Sequence, residues 1–227
     1  MIAPRLTDEL KRTIEALPPV ESVDAIEIRE KIIQSVSFHI GTLGAAEVHR
    51  MEILHAADLF EFYMNGLSEK SRRMFAPYPL FHTPPSSADQ LSQRISDWEK
   101  ENDWTALCLV ANERIIGLSL LKRFWTEQVT SAIVIGDAYW KRGLGGVLQH
   151  LLVCQARFLG IQRFHVKVVS DNLASVRLHT RCGFIQTRVL APPLYEDLLK
   201  YLSDQDRRSG VEPVKRRIIE MVIDLSR

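Results

Sequence analysis

The segment Ile133-Val134-Ile135-Gly136-Asp137-Ala138-Tyr139-Trp140-Lys141-Arg142-Gly143-Leu144-Gly145-Gly146 changes character within a few residues. A short apolar run ends in a turn holding three glycines in four residues. An amphipathic helix pattern then begins, with Leu144, Val147, Leu148, Leu151, Cys154 and Phe158 on one face. The first backbone N–H groups of a helix have no partner inside it. A glycine-rich turn between a strand and a helix is therefore a ready cradle for a phosphate. Glycines weaken a helix start, and a plain cap needs none of them. Close approach of the backbone to a ligand is the gain that offsets the weakness.

Downstream, Gly160 stands where a helix cap belongs, and Phe164–Val169 alternates as a strand. Asp171 or Asn172 caps a short helix that Gly183 ends, and Phe184–Leu190 is a further strand. Pro192-Pro193 opens a helix carrying Leu194, Leu198, Leu199 and Leu202, and Arg217–Leu225 is the last strand. Upstream, Thr105–Val110, Ile115–Phe124 and Val129–Ile135 form an antiparallel meander, with a tight turn at Ala111–Arg114 and either a bulge or a close backbone approach at Gly117. Before it come a strand at Glu47–Leu54, a helix at Ala57–Gly66 and a new helix start near Ser68. Pro77–Pro85 is irregular, and a helix capped by Ser87 and Gln90 follows. Leu6, Leu10, Ile14 and Leu17 mark an N-terminal helix stopped by Pro18-Pro19, and Val23–Phe38 is expected to be a second helix with a strand at its end. With Gly41–Gly44 as a linker, the expected organisation is a helical extension over 1–44 and a main α/β domain over 45–227.

Bulk properties narrow the function. The chain has 227 residues, 46% hydrophobic and 25% charged, as in an ordinary globular protein. The formal net charge of +1 supplies no field for nucleic acid or an anionic membrane, and no apolar run is long enough to span a bilayer. The N-terminus, interrupted by Asp8, Glu9 and Glu15, does not read as a signal peptide. Cys108, Cys154 and Cys182 are scattered without metal-ligand spacing. They read as buried free thiols of a reducing compartment, so the cytoplasm is the expected location and no metal is expected.

The run Tyr139–Gly146 resembles the acyl-CoA pyrophosphate loop of the GNAT N-acetyltransferase superfamily. The run Asn172-Leu173-Ala174-Ser175-Val176-Arg177-Leu178-His179-Thr180-Arg181-Cys182-Gly183-Phe184 is similar to that family's second motif. The resemblance covers roughly Glu47 to the C-terminus. It implies a mixed, largely antiparallel central sheet flanked by helices. It also implies acetyl-CoA as cosubstrate and direct transfer of the acetyl group to a primary amine of a small molecule or protein. By that resemblance Lys141, Arg142, Gly143, Leu144, Gly145 and Gly146 hold the pyrophosphate. Ile133, Val134 and Ile135 present their backbone to the pantetheine arm. Asn172, Ser175 and Arg181 contact the rest of the cofactor. A tyrosine that protonates the leaving thiolate often stands where this chain has His179. His179 is the candidate acid in its place, since an imidazole keeps one N–H donor even when neutral, and lining the cofactor channel is its other reading. Trp140 replaces an Arg or Gln of the family's loop, which removes one anchor and leaves the amide cradle.

The general base is not legible. Glu127 is the leading candidate, Glu113, His82 and His165 are others, and a water chain with no single base is a further alternative. A non-catalytic acyl-CoA-binding regulatory module is the alternative, motivated by His179 and the missing base. A Rossmann enzyme fits less well, because that fold wants its glycine-rich turn after the first parallel strand. The segment Ala191–Val211 is long for a connection between neighbouring strands. It is expected either to shape the acceptor pocket together with Pro77–Pro85 or to form a homodimer contact.

Overall fold

The computed structural model describes residues 3–41, 43–75, 80–81, 83–100, 104–122, 129–190, 196–210 and 215–226. Its helices are α1 (Ala3–Glu15), α2 (Ala56–Glu61), α3 (Glu69–Met74), α4 (Ala88–Glu99), α5 (Leu144–Phe158), α6 (Leu173–Arg181) and α7 (Glu196–Arg208). Its strands are β1 (Val20–Arg29), β2 (Ile32–Ile40), β3 (Gly44–Arg50), β4 (Trp104–Ala111), β5 (Arg114–Lys122), β6 (Thr130–Ile135), β7 (Arg163–Val169), β8 (Ile185–Leu190) and β9 (Ile218–Asp224). One sheet takes all of these strands in the order β1-β2-β3-β4-β5-β6-β7-β9-β8. Among the described residues only the β6–β7 pair is parallel, which bears out the mixed, largely antiparallel sheet.

Helices cover both faces of the sheet. On one face, Leu107, Leu109, Leu121, Phe164, Val166 and Val168 pack with Leu10 and Ile14 of α1 and the apolar side of α5. On the other, Ala106, Cys108, Leu118, Leu120 and Val134 pack under α2 and α4. Farther along that second face, Leu202 of α7 packs on Val169 and Ile218, with Met74 of α3 against them. The alternation along each strand that divides these residues is the period-two pattern of a pleated sheet. No described helix is long and apolar enough to cross a membrane.

The expected N-terminal helix is present as α1. The second helix expected over Val23–Phe38 is not: the segment is the hairpin β1–β2. Two features hid it. Register shifts between Val20 and Ser22 and between Val23 and Ala25 break the two-residue alternation on β1. The turn is made by Glu30 and Lys31, both left-handed (φ 47° and 69°), without the Asn or Gly that usually announces such a turn. The β-branched content of the segment was the usable signal. The stretch read as a linker is the turn into β3, where Leu43 N–H donates to Ile40 O at 2.9 Å.

Gln155 of α5 ties this hairpin to the rest. It is fully buried, its Oε1 accepts from Ile33 N–H at 2.8 Å, and its Nε2 donates to Lys31 O at 2.9 Å. Gln155→Met keeps the volume and strands a buried N–H. Urea unfolding is expected to show a loss of about 1–3 kcal/mol.

Candidate functional site

The site begins where β6 parts from β7. Gly136 N–H donates to Ile116 O at 2.8 Å, which sets the hydrogen-bonding parity of β6 against β5. By the alternation of an antiparallel ladder, Thr130, Ala132 and Val134 bond toward β5, and Ser131, Ile133 and Ile135 turn their N–H and C=O groups the other way. On that other side the ladder to β7 is one pair, Thr130 with His165, supported by His165 N–H on Val129 O at 3.0 Å. Past it the strands diverge into a fork. On the other side of β5, against β4, the strand skips a residue between Ile115 and Gly117, a bulge. A Cβ on Gly117 would lie 2.8 Å from Ile135 Cδ1 and 3.3 Å from Val134 O, so a larger residue there requires the Ile135 side chain to move. Thr130 Oγ1 and Ser131 Oγ at the base of the fork are buried with no partner among the described residues. Ile135 O is taken by Trp140 Nε1 at 2.9 Å, so Trp140 caps the strand end.

The loop above the fork is shaped by two left-handed residues, Lys141 (φ 63°) and Gly143 (φ 80°). For Lys141 that conformation costs roughly 1–2 kcal/mol, strain stored to give the loop its shape. Among the described residues the N–H groups of Lys141, Arg142, Gly143, Leu144 and Gly145 make no hydrogen bond. They gather at the positive end of the α5 dipole in a concave backbone turn, a setting suited to an anion. Gly146 differs, because its N–H already donates to Gly143 O at 2.9 Å. What it offers is room, since nothing lies within 4 Å of a Cβ placed there. Lys141 and Arg142 are exposed, and the Arg142 guanidinium lies 5.5 Å over the Tyr139 ring. A dianionic pyrophosphate with an extended amide arm fits this arrangement: free donors at the helix start, then unpaired strand groups down the fork.

The α6 residues stand beside it, with Leu178 Cδ2 3.5 Å from a Cβ on Gly145. Asn172 is the N-cap, its Oδ1 accepting from Ser175 N–H at 3.2 Å. Arg181 is exposed at the far end of the helix. His179 is buried, its ring edge-to-face with Phe184 at 5.3 Å. Its Nδ1 lies 2.7 Å from Ser175 O, and a carbonyl only accepts, so Nδ1 carries the hydrogen. In the neutral ring Nε2 is then a lone pair. Burial lowers the His179 pKa, against the raising effect of the Ser175 carbonyl. Glu127 and His82 lie outside the described residues. Glu113 is an exposed hairpin-turn residue (φ 60°).

On the second face a cavity of about 370 Å³ opens between α2, α3 and the loop, lined by Phe62, Leu67, Ser68, Ile115, Asp137 and Tyr139. Asp137, which sequence reasoning passed over, pins the start of α3: its carboxylate accepts from Ser68 N–H at 3.0 Å and from Ser71 Oγ at 2.7 Å. Its position right after the strand-ending Gly136 was the available signal. Arg216 ties α7 to the β7–α6 turn, bonding Asp206 and Asp171, each at 2.5 Å. Among the described residues no cluster of His, Cys, Asp and Glu could hold a metal ion.

Two outcomes follow from this geometry. Gly146→Ala has open space and a committed N–H, so thermal melts are expected to show a gain of about 0.5–1 kcal/mol from helix propensity. A concurrent loss of acyl-CoA affinity, measured by calorimetry, reports that the ligand uses the room left by the missing Cβ. For His179 the folded pKa lies below the unfolded value of 6.5, so the unfolded chain binds the extra proton first. Its contribution is full above pH 6.5 and is lost as the pH falls below it. His179→Asn is expected to flatten the stability–pH curve in that window, read by urea melts at successive pH values.

The family model of an acetyltransferase (GNAT) domain matches residues 47–185. Acetyltransferase Pat of Mycolicibacterium smegmatis is 30% identical over 97 residues, 42% of this chain, and the match spans 27% of that protein's length. Among solved structures, the GNAT domain of S. lividans PAT aligns with a TM-score of 0.59 at 21% identity, covering 84% of this chain and 97% of that one. Spermidine N-acetyltransferase from Vibrio cholerae, in complex with CoA and spermine, aligns with a TM-score of 0.59 at 15% identity, covering 80% and 96%. With its fork, its free-amide loop and a family match over more than half its length, the chain belongs to the GNAT acetyltransferase family.

Proposed function

We propose that this protein is an acetyl-CoA-dependent N-acetyltransferase that moves an acetyl group directly to a primary amine within a ternary complex. The observation that carries the reading is the row of N–H groups from Lys141 to Gly145, free among the described residues, set at the head of a fork whose β6 edge has no strand partner beyond the Thr130–His165 pair. Acetyl-CoA supplies the thioester. The loop amides bind its pyrophosphate, with Lys141 and Arg142 adding positive charge. The Ile133 backbone and the Ile135 N–H align the pantetheine arm and offer an N–H to the thioester oxygen, where negative charge develops, whereas the backbone groups of Val134, expected to share this role, are committed to β5. Asn172, Ser175 and Arg181 contact the cofactor from the α6 side. The acceptor is an amine of a small molecule or a protein; spermidine, named in the Vibrio cholerae relative, is one chemistry to try. The cavity beside Asp137 and the wall made by α7 are the reading's acceptor side.

His179 enters as a wall of the channel. To protonate a thiolate it must first take a second proton, which its burial opposes. That same observation favours a second reading, a non-catalytic acyl-CoA-binding regulatory module. One experiment separates the two. Acetyl-CoA is expected to raise the melting temperature, and thiol release is expected with at least one member of a panel of polyamines, lysine derivatives and α-amino peptides. Stabilisation without thiol release for any amine favours the regulatory module, and no stabilisation sinks both.

A further inference from the structure

The fork has a polar floor on the face that carries α2, α4 and α7. Residues paired across a sheet direct their side chains to the same face. The pairs Thr130–His165, Lys167–Glu220 and Arg188–Glu220 therefore set these side chains together. Their neighbours on the same strands fix which face it is: Ala132 and Val134 belong to the core under α2 and α4, and Val169 and Ile218 to the one under α7. Glu220 is nearly buried, and it accepts from Arg188 Nε at 2.8 Å and Nη2 at 3.3 Å. Burial alone would raise its pKa, but the Arg188 hydrogen bonds and charge, with smaller help from His165 and Lys167, hold it below the usual carboxylate value. His165 Nδ1 lies 3.6 Å from Glu220 Oε1, within ion-pair reach. Its Nε2 has no partner among the described residues. His165 is also the residue of β7 that makes the last ladder pair with β6, so its side chain stands at the crotch of the fork.

We propose that His165 is the general base of this site, taking a proton at Nε2 from the acceptor ammonium while Glu220 holds the ring from the Nδ1 side. The proposal rests on the acetyl-transfer reading. The charged groups facing the imidazole are Glu220, Lys167 and Arg188. Among the described residues the side chains contributed by β6 are the uncharged Thr130 and Ala132, and Met74 of α3 with Leu199 and Leu202 of α7 pack on Val169 and Ile218 farther along the same face. The step balances. The ammonium gives one proton to Nε2, and its freed electron pair forms the N–C bond as the carbonyl π pair moves to oxygen. Collapse breaks the C–S bond, and the sulfur leaves with that pair. The second proton on nitrogen passes to the sulfur, and the imidazolium returns its proton to solvent. The products are an N-acetyl amide, CoA thiol and one proton. Thr130, the ladder partner of His165, has its Oγ1 buried with no partner among the described residues. Lys167 and Arg188 leave the floor rich in positive charge, which keeps the amine's own proton mobile.

The test uses the full chain with acetyl-CoA and, as amine probes, spermidine and Nα-acetyl-lysine methylamide. In the wild-type protein kcat/KM is expected to rise with pH along one ionisation. NMR of ¹³C-labelled histidine is expected to show one imidazole signal, absent in His165→Gln, that titrates at the same pH. His165→Gln is expected to lower kcat by about 10²-fold or more and to abolish that limb, with acetyl-CoA affinity by calorimetry unchanged. Added imidazole is expected to restore part of the activity of His165→Ala. Glu220→Gln, a change to a positioning residue, is expected to lower kcat, keep the limb and leave KM for acetyl-CoA alone. Unchanged kcat and pH profile in His165→Gln overturn the proposal. Loss of the limb in Glu127→Gln together with its survival in His165→Gln gives the role to Glu127 and overturns it as well. Absence of acetyl-CoA binding, or of thiol release with either amine, overturns the acetyl-transfer reading itself and the base with it.

Discussion

Two adjacent strands that touch at one pair and then part set the terms for everything around them. A parallel pair needs a crossover, and α5 is that crossover. The parting leaves one edge of β6 without a ladder, a condition that a sheet interior rarely tolerates, because unpaired backbone groups lose their bonds to water without replacing them. The molecule keeps β6 in place by other means. Its opposite edge is paired with β5 from Lys122 to Gly117, its Val134 side chain is buried under α2 and α4, and Trp140 caps its last carbonyl. The open edge is thus held open by bonding elsewhere, and it is available to a ligand with amides of its own.

The helix that closes the crossover carries the second half of the site. Because α5 starts immediately after the fork, its free N–H groups sit at the head of the open edge. An anion at the loop and an extended arm in the fork belong to one continuous surface. The N-terminal hairpin takes part in this. Gln155 fastens it to the underside of α5, and Pro19 packs so closely on Gly143 that a Cβ there would lie 2.8 Å from Pro19 Cγ. The loop is therefore buttressed from behind by a segment distant in sequence, which restricts the strained left-handed turn to one shape.

The opposite face is polar at the fork and apolar on either side of it. Asp137 locks α3 to the loop, and Arg216 locks α7 to the turn before α6. Between these two anchored elements lie His165, Glu220 and Thr130. Polar groups thus gather at the crotch of an opened sheet, flanked by two closed apolar cores.

The meander, the glycine-rich turn, α5, β7 and the capped α6 were all legible from local rules, because each rests on contacts between near neighbours: periodicity, glycines at a helix start, an Asn at a cap. The hairpin β1–β2 was not, because bulges broke its alternation and a Glu-Lys turn concealed its bend. The cradle could be read from Gly143, Gly145 and Gly146, but not that Gly146 N–H is already committed. Nor could the tautomer of His179 be read, since Ser175 O selects it only once the helix turn has formed. Least legible was the company His165 keeps. It, Glu220 and Arg188 come from three strands dispersed along the chain, and nothing in their local sequence links them. The chain alone determined the family of folds and the glycine-rich helix start, because those depend on short-range backbone preferences. Which charges meet at the fork was settled only by strand order, when β9 inserted between β7 and β8 and brought Glu220 into register with both.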